Sequence, residues 1–282
     1  MTGYTINVRG RLVDVSRPQV MGILNVTPDS FYAGSRKNTE REIADRANAI
    51  VAEGGSMIDV GAFSTRPGAP EVSEAEEMER LRHGLAIVRR EQPDALVSVD
   101  TFRPEVARMA VEEYGADIIN DVSEGGITGR ANVPLEQADE PTPAIFRMVA
   151  KLGVPYILMS VKPDIGSMLK AFAAEVQQLR ALGAKDIILD PGFGFGKTLD
   201  ENYALLDNMD KLAVMELPLL VGVSRKSMIF RLVGGGPDDA LNGTTAINML
   251  ALERGASILR VHDVKAAAEC VAIWRRTKGM AD

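Results

Sequence analysis

Eight short apolar runs, each ending in polar residues, set the strongest limit on how this chain can fold. Each run is followed by a stretch with helical periodicity, and a strand that is apolar throughout is buried on both faces, as parallel strands beneath helices are. Eight such units predict an α/β protein with a (β/α)8 TIM barrel, whose chemistry lies at the C-terminal ends of the strands. The runs are VMGILNVT, SMIDVG, LVSVDT, DIINDVS, PYILMS, DIILDPG, LLVGVSRKS and ILRVHD, and their polar end residues are Asn25, Asp59, Asp100, Asn120, Ser160, Asp190, Ser224 to Ser227, Arg260 and His262.

The segment before the first run predicts a β-hairpin. Apolar and polar residues alternate in MTGYTINVRGRLVDVSRP around Arg9, Gly10 and Arg11, which is typical of a hairpin and not of a secretion signal. We expect this hairpin to close the bottom of the barrel. Because no linker, low-complexity tract or change of composition interrupts the chain, we expect residues 1–282 to form a single domain.

Two helix starts are marked by possible capping boxes, in which a hydroxyl residue precedes a glutamate by three positions. Thr39 with Glu42 predicts the start of the first helix, and Ser73 with Glu76 predicts the start of the second. Gly115 is expected to end the third helix, since glycine favours the position after a helix C-terminus.

Composition excludes several classes of function. The formal net charge of −7 argues against general nucleic-acid binding, which needs a basic surface. Hydrophobic residues make up 46% of the chain, but no run approaches the roughly 20 apolar residues that a membrane-spanning helix needs. The lone Cys270 excludes an internal disulfide and argues against a cysteine metal site. We therefore expect a cytoplasmic protein that binds neither membrane nor nucleic acid.

Three strand-end residues form a set of hydrogen-bond acceptors. Asp100, Asn120 and Asp190 end the third, fourth and sixth runs and should point into one barrel mouth. Two carboxylates suit the adjacent NH2 and ring N–H of an aminopyrimidinone, so the set predicts a site for a guanine-like or pterin-like heterocycle. The alternative for each residue is a cap on the following helix, a role that aspartate also favours.

The segment after the seventh run carries Ser224, Arg225, Lys226 and Ser227. Lys226 is expected to bond a ring carbonyl or nitrogen of the heterocycle, with Asp190 as its neighbour across the mouth. Ser227 is expected to reach a second ligand. A salt bridge that closes the barrel rim is the alternative role for Lys226.

Arg260 and His262 alternate at the end of the eighth run, so both should point inward. An arginine clamps phosphate through two hydrogen bonds and a histidine adds a donor, which predicts a phosphate site near the seventh and eighth strands. The alternative for His262 is a buried imidazole with its hydrogen bonds satisfied in the core. Asn25, with Asp29 after it, could help to hold Mg2+ beside a pyrophosphate, since that ion takes few protein ligands.

The sequence GFGFGK, residues 192–197, follows Asp190 with glycine at alternate positions. Glycines permit tight turns and close approach to a ligand, and the phenylalanines offer flat apolar walls. The spacing differs from that of a phosphate-binding Walker loop.

Seven ordered motifs resemble those of the dihydropteroate synthase family, the folate-pathway enzymes that sulfonamides inhibit. They are MGILNVTPDSFYAG, IDVGAFSTRPGA, SVDTFRPEVA, IINDVS, LDPGFGFGKTLDENY, VGVSRKSMI and RVHDV, and they cover nearly the whole chain. The resemblance implies a pterin-binding barrel and a transferase activity. Such an enzyme joins dihydropterin-CH2-pyrophosphate to p-aminobenzoate and releases pyrophosphate.

The same resemblance implies the roles of individual residues, together with homodimerisation through late helices. Sulfonamides are the expected competitive ligands. The pterin residues are Asp100, Asn120, Asp190 and Lys226, with Val122 and Met159 packing on the ring; the pyrophosphate residues are Asn25, Arg66, Arg260 and His262; the p-aminobenzoate residues are Phe31, Ser64, Thr65, Pro67, Phe195 and Ser227; the Mg2+ residues are Asn25 and Asp29; and the catalytic residues are Arg66, Lys226, Arg260 and His262.

Elementary chemistry agrees with a substitution reaction of this kind. An arylamine is already nucleophilic at neutral pH, and the sequence offers no obvious Ser-His-Asp or Cys-His pair. The charge that must be stabilised develops on the leaving pyrophosphate, where Arg66, Arg260, His262 and Mg2+ can act. Cationic character on the departing carbon can spread into the pterin ring, so we expect a dissociative, SN1-like reaction.

Three features depart from the family pattern. After the fifth run the family leads us to expect Leu-Met-His-Met, but this chain has LMSV, with Ser160 in place of the histidine. The segment 124–142 is longer than expected and has a solvated insertion as its simplest interpretation. Phe63 stands beside the serine and threonine of the STRPGA loop, where it could alter sulfonamide sensitivity.

Two other functions remain open from the sequence. A pterin-dependent methyltransferase would share the acceptor set but would have no use for a pyrophosphate clamp, so Arg66, Arg260 and His262 argue against it. A non-catalytic pterin-binding barrel is supported only by the altered end of the fifth run.

Overall fold

The computed structural model of this protein describes residues 4–26, 36–63, 72–125 and 142–280. Within them, eight parallel strands close into a barrel in the order β10-β3-β4-β5-β6-β7-β8-β9, and an antiparallel pair, β1 and β2, precedes it. The strands are β1 (Thr5–Val8), β2 (Arg11–Asp14), β3 (Gln19–Asn25), β4 (Met57–Gly61), β5 (Leu96–Asp100), β6 (Ile118–Asp121), β7 (Tyr156–Met159), β8 (Ile187–Asp190), β9 (Leu219–Val221) and β10 (Ala256–Val261). The predicted (β/α)8 barrel is confirmed.

Helices surround the barrel and bury the outward side chains of its strands. Val60 of β4 and Val99 of β5 are completely buried in the same core as Leu85 of the second helix. The helices are α1 (Arg36–Ala52), α2 (Glu74–Glu91), α3 (Pro104–Tyr114), α4 (Ala144–Leu152), α5 (Ile165–Ala181), α6 (Leu199–Asn208), α7 (Ser227–Val233), α8 (Leu241–Glu253) and α9 (Val264–Thr277), with 3-10 turns at Met209–Met215 and Pro237–Asp239. In the described parts of the chain, no helix is long and apolar enough to cross a membrane.

The N-terminal hairpin closes the bottom of the barrel, as predicted. Arg9 and Gly10 form its turn with φ angles of 50° and 82°, the left-handed conformation that a two-residue hairpin turn requires. Ile6 and Val8 point into a second, smaller core with inward residues from the first half of the barrel strands. Those strand residues are Met21, Met57, Ile118, Ile157, Ile188, Leu220 and Ile258.

The helix ends agree with the sequence in part. The Ser73 hydroxyl oxygen accepts a hydrogen bond from the Glu76 backbone N–H at 3.2 Å, and Gly115 ends α3 in the left-handed conformation with φ 62°. The prediction for Thr39 was wrong, because α1 already begins at Arg36 and Thr39 is buried one turn inside it. Tertiary packing overrides the local signal at this position. The seven-residue helix α7 was not predicted.

We expect the hairpin to contribute to stability through its buried face alone. Ile6 is 2% exposed in the lower core, whereas Leu12 of the same hairpin is 70% exposed. Ile6→Ala should lower the free energy of unfolding by about 2–5 kcal/mol, as truncation of a buried isoleucine does. Leu12→Ala is the matched control and should change it by less than about 0.5 kcal/mol. Urea denaturation measures both values, and equal effects would contradict a plug formed by the inner face.

Candidate active site

The candidate site lies at the C-terminal ends of the barrel strands, where the sequence predicts it. Strand pairing aligns Asn25 of β3 with Gly61 of β4, Gly61 with Asp100 of β5, and Asp100 with Asn120 of β6. Asp190 is the last residue of β8. Parallel pairing therefore brings the predicted acceptors to one rim of the barrel.

A partly buried cation joins two carboxylates at the centre of this rim. Arg260 of β10 donates from Nε to Asp59 at 2.7 Å and from Nη2 to Asp100 at 2.8 Å. Asp59 also accepts a hydrogen bond from the Asn120 amide Nδ2 at 3.1 Å. Asp59 was missing from the predicted site residues although it ended one of the apolar runs. Its signal was available, since a charged residue in an otherwise apolar run needs a partner when the run is buried.

Three buried oxygens around Arg260 have no hydrogen-bond partner among the described residues. They are Oδ1 of Asp59, Oδ1 of Asp100 and Oδ1 of Asn120. A buried acceptor without a donor costs free energy, and native proteins nearly always satisfy such groups. All three atoms accept hydrogen bonds, so they fit a ligand edge that presents several N–H groups side by side.

Burial and mutual charge shift the pKa values of these groups. Burial raises the pKa of Asp100 to about 7, with Arg260 opposing the rise and Asp59 adding to it. Burial also raises the pKa of Asp190, while Lys226 opposes that shift. For Arg260, burial favours the neutral form, but Asp59 and Asp100 outweigh it and raise its pKa. The guanidinium therefore stays charged between the two carboxylates.

Lys226 lies opposite, against the loop that follows β8. Its ammonium donates to the Phe193 carbonyl oxygen and lies 4.5 Å from the centre of the Phe195 ring. Burial lowers the pKa of Lys226 to about 8, with Asp190 opposing the shift. Lys226 and Asp190 are thus close enough for their charges to interact, in agreement with the prediction that they are neighbours. Arg225 points elsewhere, since it binds Asp263 through two hydrogen bonds of 2.8 and 2.9 Å.

Close backbone approach explains two glycines of this loop. A Cβ on Gly192 would lie 2.1 Å from the Ser160 carbonyl oxygen, and Gly192 has a φ of 67°. A Cβ on Gly194 would lie 3.0 Å from the Lys226 side chain, and its φ is 80°. Both positions combine a left-handed backbone with a tight contact, which favours glycine.

His262 lies just beyond the end of β10, so the simple alternation that placed it beside Arg260 does not extend to it. Its ring Nδ1 and the Ser224 hydroxyl oxygen are 3.0 Å apart, and the His262 backbone N–H donates to the same oxygen at 3.1 Å. Arg46 of α1 donates to the His262 carbonyl at 2.7 Å and to the Ile23 carbonyl at 3.1 Å. Sequence reasoning gave neither Ser224 nor Arg46 a role in orienting His262.

The remaining predicted residues divide into two groups. Val122 is 8% exposed after β6, Met159 is fully buried at the end of β7, and Ser227 is the first residue of α7. The second group lies outside the described residues and comprises Asp29, Phe31, Ser64, Thr65, Arg66 and Pro67.

The residues that flank 64–71 are held by two arginines. Arg80 donates to the Ala62 carbonyl at 2.9 Å, and Arg103 donates to the Val72 carbonyl at 2.7 Å. Arg103 also binds the buried Glu77 carboxylate at 2.5 Å. Phe63 packs edge-on against another aromatic ring, Phe102, with the centroids 5.6 Å apart. None of this support was predicted from the sequence.

Ser160, the departure from the family pattern, is completely buried. Its hydroxyl donates to the Glu124 carboxylate at 3.3 Å and accepts from the Lys162 backbone N–H at 3.2 Å. Most of the segment 124–142 lies outside the described residues. A serine with a buried glutamate thus occupies the position where the family led us to expect a histidine.

Comparison with known proteins identifies the family. The family model described as "Pterin binding enzyme" matches residues 21–262. Dihydropteroate synthase of Escherichia coli (strain K12) is 38% identical over 284 residues, which cover 95% of each chain, and that of Synechocystis is 40% identical over 269 residues, covering 92% of this chain and 91% of the relative.

Solved structures give the same result. Dihydropteroate synthase of Xanthomonas albilineans with 4-aminobenzoic acid superposes with a TM-score of 0.86 at 34% identity, covering 99% of this chain and 100% of the other. The Yersinia pestis enzyme in a sulfonamide complex gives 0.84 at 36% identity, covering 98% and 99%. With its closed barrel and its acceptor rim, this chain belongs to the dihydropteroate synthase family, the transferases of folate biosynthesis.

Proposed function

We propose that this protein condenses 6-hydroxymethyl-7,8-dihydropterin pyrophosphate with p-aminobenzoate to give 7,8-dihydropteroate and pyrophosphate. One observation carries the proposal beyond family membership: the three buried, unpartnered oxygens of Asp59, Asp100 and Asn120 surround the Arg260 guanidinium. The NH2 and ring N–H groups of a pterin are the donors that such acceptors need.

The pterin is proposed to bind between the β5–β6 rim and the end of β8. Asp100 and Asn120, together with the unpartnered Oδ1 of Asp59, would accept from one edge of the ring. Asp190, whose Oδ1 already accepts the Gly192 N–H at 2.8 Å, would contribute its other oxygen. The Lys226 ammonium would donate to a ring carbonyl or nitrogen. Val122 and Met159 supply the apolar surface that a flat heterocycle needs, and Asp59 holds Asn120 in position.

The pyrophosphate is proposed to lie toward β10, between Arg260, His262 and Asn25, with Arg66 completing the site. Two nitrogens of Arg260 are already bonded to carboxylates, so a phosphate would reach its remaining Nη1. The Ser224 hydroxyl holds the His262 ring through Nδ1, and the imidazole is proposed to point toward the phosphate as a further donor.

Mg2+ is the proposed cofactor, with Asn25 and Asp29 as its protein residues. Asn25 is exposed at the end of β3, where its amide oxygen can serve as a hard ligand. The described residues contain no group of three or more His, Cys, Asp or Glu residues that could hold a metal by themselves. Such a site suits an ion held jointly with pyrophosphate, whose negative charge it neutralises.

The reaction is proposed to be dissociative and SN1-like. Arg260 and His262 would stabilise the charge that develops on pyrophosphate as the carbon–oxygen bond breaks. Asp100 and Asp190 would stabilise the cationic pterin that remains, because Asp190 is buried and Asp100 is only 14% exposed at the rim where the ring is proposed to lie. The arylamine nitrogen then bonds to the exposed carbon and loses its proton to solvent, so no strong base is needed.

The p-aminobenzoate pocket is proposed to use Phe195 and Ser227 beside Lys226, together with Phe31, Ser64, Thr65 and Pro67. The Phe195 ring offers a flat wall, and it lies within reach of the Lys226 cation. Sulfonamides, as arylamines of similar shape, would compete for this pocket, in keeping with the sulfonamide complex of the Yersinia pestis relative.

A homodimer is proposed from the apolar surface of the late helices. Leu232 and Val233 of α7, Leu250 of α8 and Ile273 of α9 are all more than half exposed. Exposed apolar side chains of this size are typical of a protein interface when they are grouped together. Sedimentation equilibrium measures the mass of the assembly in solution. A homodimer should give twice the chain mass of 30.4 kDa, and a value equal to the chain mass would contradict the proposal.

We also propose that residues 1–282 form one domain that works in the cytoplasm and without nucleic acid. The net charge of −7 and the lone, buried Cys270 support this. A stable fragment in limited proteolysis would contradict the single domain. Recovery of the protein in a membrane or nucleic-acid fraction of the cell would contradict the proposed location and the absence of nucleic acid.

The deciding experiment is pyrophosphate release from dihydropterin pyrophosphate and Mg2+, with and without p-aminobenzoate. Release that requires p-aminobenzoate and yields dihydropteroate is the expected result. Pterin binding without release would favour the non-catalytic barrel, and methyl transfer from methyltetrahydrofolate to a corrinoid would favour the methyltransferase.

Loss of the leaving-group contacts should slow turnover. His262→Ala removes a donor, and Arg260→Lys keeps a positive charge near Asp59 and Asp100 but removes the Nη1 that is proposed to reach the phosphate. We expect kcat to fall by about 10²-fold for His262→Ala, as it does when one donor to a developing charge is removed. His83→Ala on α2 is the control and should retain the full rate. Near-normal rates for both site variants would refute the pyrophosphate assignment.

The pH dependence of kcat/KM for the pterin substrate should be bell-shaped. Asp100, with its pKa raised to about 7, is protonated below that pH and can no longer accept two N–H groups. Lys226, with its pKa lowered to about 8, loses its charge above that pH. We therefore expect a maximum between the two values, since kcat/KM reports groups of the free enzyme. Asp100→Asn should remove the acidic limb and leave the basic one, and an unchanged acidic limb would assign it to another group.

A further inference from the structure

Lys197, the last residue of the GFGFGK sequence, has no role in the proposed chemistry but makes an unusual set of contacts. Its ammonium donates to three backbone carbonyls: Gly192 at 2.9 Å, Ser160 at 3.3 Å and Phe195 at 3.3 Å. An ammonium group has three donors, so these bonds use all of them. Lys197 is therefore not available to contact a substrate.

The three carbonyls that Lys197 binds belong to two different parts of the rim. Gly192 and Phe195 belong to the loop between β8 and α6, residues 191–198, whereas Ser160 directly follows β7. The Phe195 N–H in turn donates to the Gly192 carbonyl at 3.1 Å, so Lys197 binds both ends of one turn. One charged group thus ties the loop to itself and to the neighbouring strand.

The same loop supplies the two contacts that hold Lys226. The Phe193 carbonyl accepts from the Lys226 ammonium, and the Phe195 ring lies against it. Glycines at 192, 194 and 196 all have positive φ angles, so the loop backbone has wide conformational freedom unless other groups restrict it.

Charges around Lys197 favour its ionised form. Asp190, Glu124 and Glu201 face it from β8, from the segment after β6 and from α6, and they oppose the burial that lowers its pKa to about 8. An ammonium binds carbonyls more strongly than a neutral amine does. The acidic surroundings therefore strengthen the three contacts.

We propose that Lys197 is a positioning residue for the active site: it holds the β8–α6 loop so that the Phe193 carbonyl and the Phe195 ring keep the Lys226 ammonium in place beside p-aminobenzoate. The role rests on the proposed function, because it assigns the loop to the p-aminobenzoate pocket. A second support for the loop remains without Lys197. The Asn202 side chain accepts from the Gly194 N–H at 2.7 Å and donates to the Thr198 carbonyl at 2.7 Å, so a Lys197 variant should fold.

The test compares Lys197→Met with Lys162→Met. Lys162 also faces the Glu124 carboxylate, at 3.8 Å, but among the described residues its ammonium makes no hydrogen bond to the loop. It therefore controls for the loss of a cation beside that acid. Misplacement by about 1 Å can cost roughly 10²-fold in rate, so we expect kcat/KM for p-aminobenzoate to fall about 10–100-fold in Lys197→Met and less than about 3-fold in Lys162→Met.

The conservative variant Lys197→Arg should not restore activity, because a planar guanidinium cannot direct three donors from one nitrogen to converging carbonyls. Hydrogen–deuterium exchange gives a readout that does not depend on activity. The amides of residues 191–198 should exchange faster in Lys197→Met than in Lys162→Met, with similar thermal unfolding of both variants.

Unchanged exchange in Lys197→Met would overturn the proposal, whether or not activity falls. Full recovery of kcat/KM in Lys197→Arg would also overturn it, since charge alone would then suffice. Failure of the proposed function is distinguishable, because the unmodified protein would then release no pyrophosphate, while the exchange experiment would still decide whether Lys197 orders the loop.

Discussion

The ion pair of Arg260 with Asp59 and Asp100 is the interaction on which the rest of the site depends. A single buried charge is costly, but a cation between two carboxylates allows both to remain at the rim of a closed barrel. It also joins β10, the last strand, to β4 and β5. Each carboxylate gives one oxygen to the guanidinium, and its other oxygen has no hydrogen-bond partner among the described residues. The binding face is therefore a product of how the barrel closes.

Much of this arrangement could be predicted from the sequence, because it depends on local patterns. Apolar runs predicted the strands, the alternation around Gly10 predicted the hairpin, and the ends of the runs predicted Asp100, Asn120 and Asp190 at one rim. What the sequence could not supply were partners chosen by tertiary structure. Asp59 and Arg260 are 201 residues apart in the chain, and nothing local indicates that they meet. The short α7 has too few turns for a clear helical period, and His262 lies just past the strand whose alternation was used to orient it.

The end of β7 shows how a departure from a family pattern can be absorbed. Ser160 is smaller than the histidine that the resemblance leads one to expect, and Glu124 contacts its hydroxyl, so the position remains polar and buried. The Ser160 backbone stays close to the next strand, where its carbonyl faces Gly192 and accepts from Lys197. The rim contacts with Gly192 and Lys197 are therefore made by the backbone, and the Ser160 side chain takes no part in them.

The hairpin at the bottom of the barrel restricts where ligands can enter and leave the barrel. Ile6 and Val8 fill the lower interior together with seven strand residues, so in the described part of the chain that end is packed with side chains. Both substrates must then arrive, and both products must leave, by the same opening above the strand ends. A product that stays bound at that opening delays the next cycle, so inhibition by product is a natural property of a barrel closed in this way.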